Sequence, residues 1–130
     1  MYHSKITGLG FYVPENVVTN DDLSKLIDTN DEWIQERTGI KERRHVVLPE
    51  DTTSGMALKA SKIAIERAGI DKNDIDFIVF ATLSPDYYFP GPGVTLQKEL
   101  GIKTVGALDV RNQCSGFIYA LSVADQFIKT

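Results

Sequence analysis

Cysteine occurs once in this 130-residue chain, so no internal disulfide framework is available to it. Long apolar runs are missing as well. Nowhere do enough apolar residues follow one another to make a membrane-spanning helix. Positive charge is in deficit: 14 Lys and Arg stand against 18 Asp and Glu, a formal net charge of −4, which argues against general affinity for nucleic acid. The first 20 residues hold one Lys, several polar residues and Pro14, and lack the apolar centre of a secretory leader. No low-complexity tract, linker or internal repeat interrupts the chain. With 42% apolar and 25% charged residues, the composition is that of an ordinary globular domain and leads us to expect a soluble, cytoplasmic protein.

Two motifs fail on their context. Gly8-Leu9-Gly10-Phe11-Tyr12-Val13 begins like a dinucleotide fingerprint, but the third glycine is missing and Pro14 stands where a phosphate-binding helix would start. The run from Asp71 to Asp76 resembles a calcium loop, yet it lacks an oxygen ligand at its fifth place and glycine at its sixth. It reads better as a helix cap and turn. No metal site is expected.

What is present is an alternation of strands and helices. Residues 6–12 read as a first strand ending before Pro14. Asn20 is placed to cap a helix containing Leu23, Leu26 and Ile27, and Asp31 to cap a second one running to Thr38, with Gly39 in the left-handed position beyond it. Residues 52–68 form a long helix with a stripe of Met56, Ala57, Ala60, Ile63 and Ala64, closed by Gly69. Residues 75–82 contain the apolar run Phe77-Ile78-Val79-Phe80, typical of a strand covered on both faces. A helix over 91–100, a strand over 105–110 and a helix over 114–129 follow. Such an order predicts an α/β fold with a mainly parallel sheet covered by helices. Lys41, Arg43 and Arg44 form a local basic cluster, readable as a patch or as a solvated run.

The most informative segment is the one that holds the cysteine, Asp109-Val110-Arg111-Asn112-Gln113-Cys114-Ser115-Gly116-Phe117. A short apolar strand turns sharply here into a helix whose Phe117, Ala120, Leu121, Ala124, Phe127 and Ile128 recur at helical spacing. A lone cysteine is commonly a buried, inert thiol. Asn112 and Gln113 are poor core residues, Ser115 and Gly116 leave room beside the sulfur, and the positive end of a helix favours a thiolate. Those features point to Cys114 as a nucleophile.

The pattern Asp-Val-Arg-x-x-Cys-Ser-Gly-Phe-x-Tyr-Ala-Leu is similar to the nucleophile motif of β-ketoacyl-acyl carrier protein synthase III, a thiolase-like condensing enzyme. The likeness extends along nearly the whole chain. Ile6-Thr7-Gly8-Leu9-Gly10-Phe11-Tyr12-Val13-Pro14 resembles the family's first strand, Asn30 to Ile40 its coenzyme A-binding segment, and Ala81-Thr82-Leu83-Ser84-Pro85 with Phe89-Pro90 its strand end and dimer loop. The resemblance implies a thiolase-like N-terminal half, residues 1–130, ending after the nucleophile helix, with the C-terminal half absent.

It also implies a reaction. Cys114 takes an acyl group from acyl-coenzyme A, and the thioester then condenses with malonyl-acyl carrier protein with loss of CO₂. Coenzyme A enters as part of a substrate; no cofactor is implied. Trp33 and Arg37, one helical turn apart, and Thr29 beside them would hold the adenine. On spacing alone, Trp33 could instead be a core anchor covered by Arg37. Phe89 would reach the acyl pocket of the partner in a homodimer, or serve as a turn aromatic before Pro90. The family's catalytic His and Asn lie in its second half, and His3 and His45 match neither, so the chain alone is expected to be inactive. Tyr87, Tyr88, Gly91-Pro92-Gly93 and Asn112-Gln113 depart from the commoner family patterns, which leaves acyl-chain preference open. A related starter-unit or hydroxymethylglutaryl-coenzyme A synthase-like condenser, or a non-catalytic self-associating piece, are the other readings.

Overall fold

A computed structural model of the chain describes residues 2–130. The chain divides into two compact units. The smaller is Val13–Asp51, and the larger combines the segment up to Tyr12 with Thr52–Thr130.

In the smaller unit, β1 (Asn16–Thr19) pairs antiparallel with β2 (Glu42–His45), with Val17 opposite Arg44 and Val18 opposite Arg43. Neither strand shows a usable apolar alternation, and sequence patterning missed both. The arginines of the basic cluster tie the strand pair together. Arg43 donates to the Val18 carbonyl at 3.2 Å and to Asn20 Oδ1 at 2.6 Å, and Arg44 donates to the Pro14 carbonyl at 3.2 Å. Between the strands lie α1 (Asn20–Ser24) and α2 (Asp31–Thr38).

Both expected caps are one residue out. Thr19, not Asn20, caps α1, in a reciprocal box with Asp22. Asn20 is instead the most buried residue of the unit, because its amide is fully used: it donates to Asp31 Oδ1 at 2.7 Å and to the Ile40 carbonyl at 2.8 Å, besides accepting from Arg43. Asn30, not Asp31, caps α2, through the Trp33 N–H at 2.8 Å. Gly39 closes α2 with φ 70°, as its position in the sequence requires.

In the larger unit, β3 (Phe77–Ala81) pairs in parallel with β4 (Gly106–Val110), Phe77 opposite Gly106 and Ala81 opposite Val110. On one face lie α3 (Thr53–Ala68) and α4 (Pro92–Leu100), and Ile78, Phe80, Leu96 and Leu100 make the buried core there. Each such side chain contributes roughly 1.5–3 kcal/mol on burial. On the other face lies α5 (Gly116–Lys129), which stacks Phe127 on Phe77 at a ring separation of 4.6 Å. Phe117, Ile118 and Phe127 of this helix remain more than half exposed. The turn read in place of a calcium loop is present: Asp71 and Asp74 box a short 3₁₀ segment over Lys72–Asp74.

Residues 6–12 are the largest departure from the expected elements. They lie in no strand, because a strand exists only through a neighbour's hydrogen-bond ladder and none among the described residues pairs with them. They run along α3 instead. A Cβ on Gly8 would overlap the Ala64 carbonyl, and one on Gly10 the Ala60 carbonyl, so the glycines and the small-residue stripe of α3 let backbone meet backbone. Arg67 donates to the Leu9 carbonyl at 2.9 Å, and Lys59 to the Tyr12 hydroxyl at 2.9 Å.

At the start of α4, Pro92 occupies the first helical position, where its missing N–H costs nothing. The next free donor, Gly93 N–H, gives a 2.9 Å hydrogen bond to Asp109 Oδ1 from the end of β4. A Cβ on Gly91 would fall on the same carboxylate. Gly91→Ala is therefore expected to displace Asp109 and to destabilise the intact protein by about 1–3 kcal/mol, the usual cost of overpacking. Urea denaturation measures this; an unchanged midpoint would show that the carboxylate can move freely.

Candidate functional site

Parallel pairing brings the C-terminal ends of β3 and β4 side by side, and the Thr82 N–H extends the ladder to the Val110 carbonyl at 3.1 Å. Two loops leave the sheet at this edge. One carries Phe89 and the other Cys114.

Cys114 is exposed, on the turn between β4 and α5. The Gln113 N–H donates to Asn112 Oδ1 at 2.7 Å, and the Gly116 N–H closes the turn on the Gln113 carbonyl at 2.9 Å. The polar pair Asn112-Gln113 thus builds the turn and keeps it out of the core. The helix begins at Gly116, two residues later than its apolar periodicity suggests. Gly116 is buried, and a Cβ there would lie in ordinary contact with the Ala81 side chain at 3.5 Å, so the turn packs against the end of β3. Ser115 stands at the N-cap without a side-chain cap hydrogen bond. The first-turn N–H groups of α5 are therefore left without help from the cap side chain, beside the thiol.

The Phe89 loop is held along its length. The Asp86 carboxylate accepts from Thr53 N–H at 2.6 Å, from Ser54 N–H at 2.8 Å and from the Ser54 hydroxyl, and Thr53 Oγ1 donates to the Ser84 carbonyl at 2.7 Å. Arg111, next to the cysteine turn, lies over Tyr88 with its guanidinium 5.5 Å from the ring centre and a long 3.5 Å contact to the Tyr88 carbonyl. Phe89 itself is 92% exposed. Burial works against the charged form of Asp86, but the bonds from Ser54 and Thr53 together outweigh it and hold the carboxyl below its ordinary value. Sequence reading missed Asp86; its only signal was an acidic residue following Ser84-Pro85 at a strand end.

In the smaller unit, Thr29 and Trp33 line one hollow of about 390 Å³ with Ile27, Asp28 and Asn30. Trp33 is 51% exposed and so anchors no core among the described residues. Arg37 is not part of that lining; its guanidinium lies over the indole, 4.5 Å from the ring centre. A flat base between the two would need their planes about 7 Å apart, twice the van der Waals spacing. In this arrangement the side chains stack on each other. Hydrogen bonds from Asn20 and Gln35 hold the carboxyl of Asp31, at the start of α2, below its ordinary value.

No family model matches the chain. Curated relatives do. It is 52% identical over 130 residues to a β-ketoacyl-[acyl-carrier-protein] synthase III of Ehrlichia canis (strain Jake), which takes in all of this chain and 40% of that protein. Among solved structures it is similar to 3-oxoacyl-[acyl-carrier-protein] synthase III from Aquifex aeolicus VF5, with TM-score 0.91 and 50% identity, covering 96% of this chain and 40% of that one. It is also similar to the priming β-ketosynthase from the R1128 polyketide biosynthetic pathway, with TM-score 0.88 and 37% identity, covering 94% and 36%. The fold is thus thiolase-like α/β. The chain spans about 40% of the length of the curated relatives it matches.

The lowered Asp86 carboxyl gives a pH dependence of known sign. A carboxylate whose folded value lies below its unfolded one adds stability above the unfolded value and loses it as pH falls through the folded one. Asp86→Asn should therefore lower the melting temperature of the intact protein at neutral pH, and the gap to the parent should close as pH falls through the ordinary carboxylate range and below it. Thermal scans across that range test it; a gap independent of pH would mean that charge plays no part in the contact.

Proposed function

We infer, from a chain that is the counterpart of the N-terminal portion of β-ketoacyl-acyl carrier protein synthase III, that the intact protein is an acyl-transferring condensing enzyme of fatty-acid synthesis with Cys114 as its nucleophile. The observation that carries this reading is the exposed thiol on a tight turn at the N-terminus of α5, whose N-cap side chain makes no cap bond.

The proposed chemistry has two halves. The Cys114 thiolate attacks the carbonyl of an acyl-coenzyme A, and the tetrahedral oxyanion is met by backbone N–H groups, that of Cys114 among them. The intermediate collapses to an acyl-cysteine and expels the coenzyme A thiolate, which takes up a proton. Malonyl-acyl carrier protein then loses CO₂; its carbanion attacks the acyl-cysteine carbonyl and releases the Cys114 thiolate with a β-ketoacyl product. Covalent capture divides one difficult condensation into two easier steps. By the same resemblance, a His and an Asn outside this chain polarise the malonyl thioester.

For coenzyme A, Thr29 and Trp33 are proposed to receive the adenine in their shared hollow, with the base stacked on the open indole. Arg37 fixes the ring through its cation–π contact, in place of a two-sided clasp. Phe89 is proposed to contact the primer's acyl group across a homodimer. A starter-unit enzyme is the second reading, favoured by the 37% identity to a priming ketosynthase.

Two outcomes test the reading in the intact protein. Cys114→Ser should abolish the acyl-enzyme adduct seen by intact-mass spectrometry after incubation with acyl-coenzyme A, because a hydroxyl is far less ionised than a thiol; an undiminished adduct would place the nucleophile elsewhere. Trp33→Ala should weaken acyl-coenzyme A binding by about 1–3 kcal/mol, the range for base–aromatic stacking, and should leave the use of malonyl-acyl carrier protein nearly unchanged. Equal losses for both substrates in paired kinetics would remove Trp33 from the coenzyme site.

A further inference from the structure

We propose that Asp86 is a positioning residue: its carboxylate latches the 84–89 loop onto the start of α3 and so fixes where Phe89 stands. The link to the primer rests on the reading of Phe89 given above; the latch itself does not.

A helix start needs acceptors for its first N–H groups, but α3 has its own cap, since Thr52 Oγ1 accepts from the Gly55 N–H at 3.1 Å. Asp86 takes the two remaining donors, Thr53 and Ser54 N–H, from a loop more than 30 residues away in sequence. The Ser54 hydroxyl adds a third bond to the same carboxylate, and Thr53 Oγ1 returns one to the Ser84 carbonyl. Both partners of the loop are thus side chains or N–H groups of one helical turn, which packs on the rigid β3–β4 pair through α4.

The attachments alternate along the loop. Thr82 is tied to β4, Ser84 and Asp86 to α3, and Tyr88 lies against Arg111. Phe89 follows at once, with its ring 92% exposed. The backbone that carries the aromatic is fixed while the aromatic itself is free to meet a ligand or a second chain. Fixing a contact residue in advance removes the ordering cost from the binding step.

The test uses the intact protein and two readouts. Asp86→Ala should raise amide hydrogen exchange across 84–89 by roughly tenfold. Asp86→Asn, which keeps an acceptor oxygen, should give a smaller rise, and so should Thr53→Val, which removes only the hydroxyl bond to Ser84. The ratio of kcat/KM between a straight short-chain and a branched-chain acyl-coenzyme A should shift several-fold in Asp86→Ala, and no further when Phe89→Ala is added. Unchanged exchange in all three variants would overturn the latch. A rise in exchange with an unchanged ratio would overturn its link to the primer and leave Asp86 a helix cap. A parent protein that transfers no acyl group would refute the functional reading separately, and the exchange data would still decide the latch.

Discussion

The parallel pairing of β3 with β4 is the constraint on which the larger unit depends. Parallel strands cannot be joined by a tight turn, so the chain must cross from the end of one to the start of the other. Here the crossover carries the 84–89 loop and α4, and α4 returns over the same face to bury Leu96 and Leu100 against Ile78 and Phe80. Because the strands run the same way, their C-terminal ends are neighbours. The Phe89 loop and the Cys114 turn therefore leave the sheet together, although they lie well apart in sequence. Ligands of open α/β sheets bind at such carboxyl ends.

Helix starts around this edge are treated unequally. A carboxylate from a distant segment serves α3 and another serves α4, through Asp86 and Asp109. Those bonds stiffen the elements on either side of the loop. At α5 the cap residue makes no side-chain bond, and the cysteine stands next to it. Fixed dipoles beside a nucleophile stabilise charge as it develops without first having to reorganise. The same turn lies against the end of β3, where Gly116 is buried beside Ala81.

The smaller unit is held by polar contacts more than by a core. Asn20 joins α1, α2 and β2 in one network through Asp31, Ile40 and Arg43. Buried polar groups of this kind are stable only when every donor and acceptor is used, and Asn20 meets that condition. The charged segment Glu42–His45 pairs as a strand, and its arginines reach the carbonyls of Val18 and Pro14, contacts that no hydrophobic pattern expresses.

By itself the sequence determined the elements whose cause is local. The apolar period of α3 and α5, the continuous apolar run in β3, and Gly39 and Gly69 just past their helices were all legible because each depends on a few adjacent residues. The turn that exposes Cys114 was legible for the same reason, and Thr29, Trp33, Arg37 and Phe89 were nameable from motif likeness. Tertiary structure alone decided what depends on a partner. Residues 6–12 have strand chemistry but run along α3 outside any strand, because a ladder needs a second strand. Asn20 and Asp31 have capping chemistry, yet Thr19 and Asn30 hold the cap positions, and Asn20 is drawn inward by Arg43. Arg37 closes onto Trp33, which spacing allowed but did not require. Asp86 and Asp109 gain their roles from helix starts that lie 33 and 16 residues away along the chain. Such contacts are set by where the sheet places its ends, and no local window of sequence contains that information.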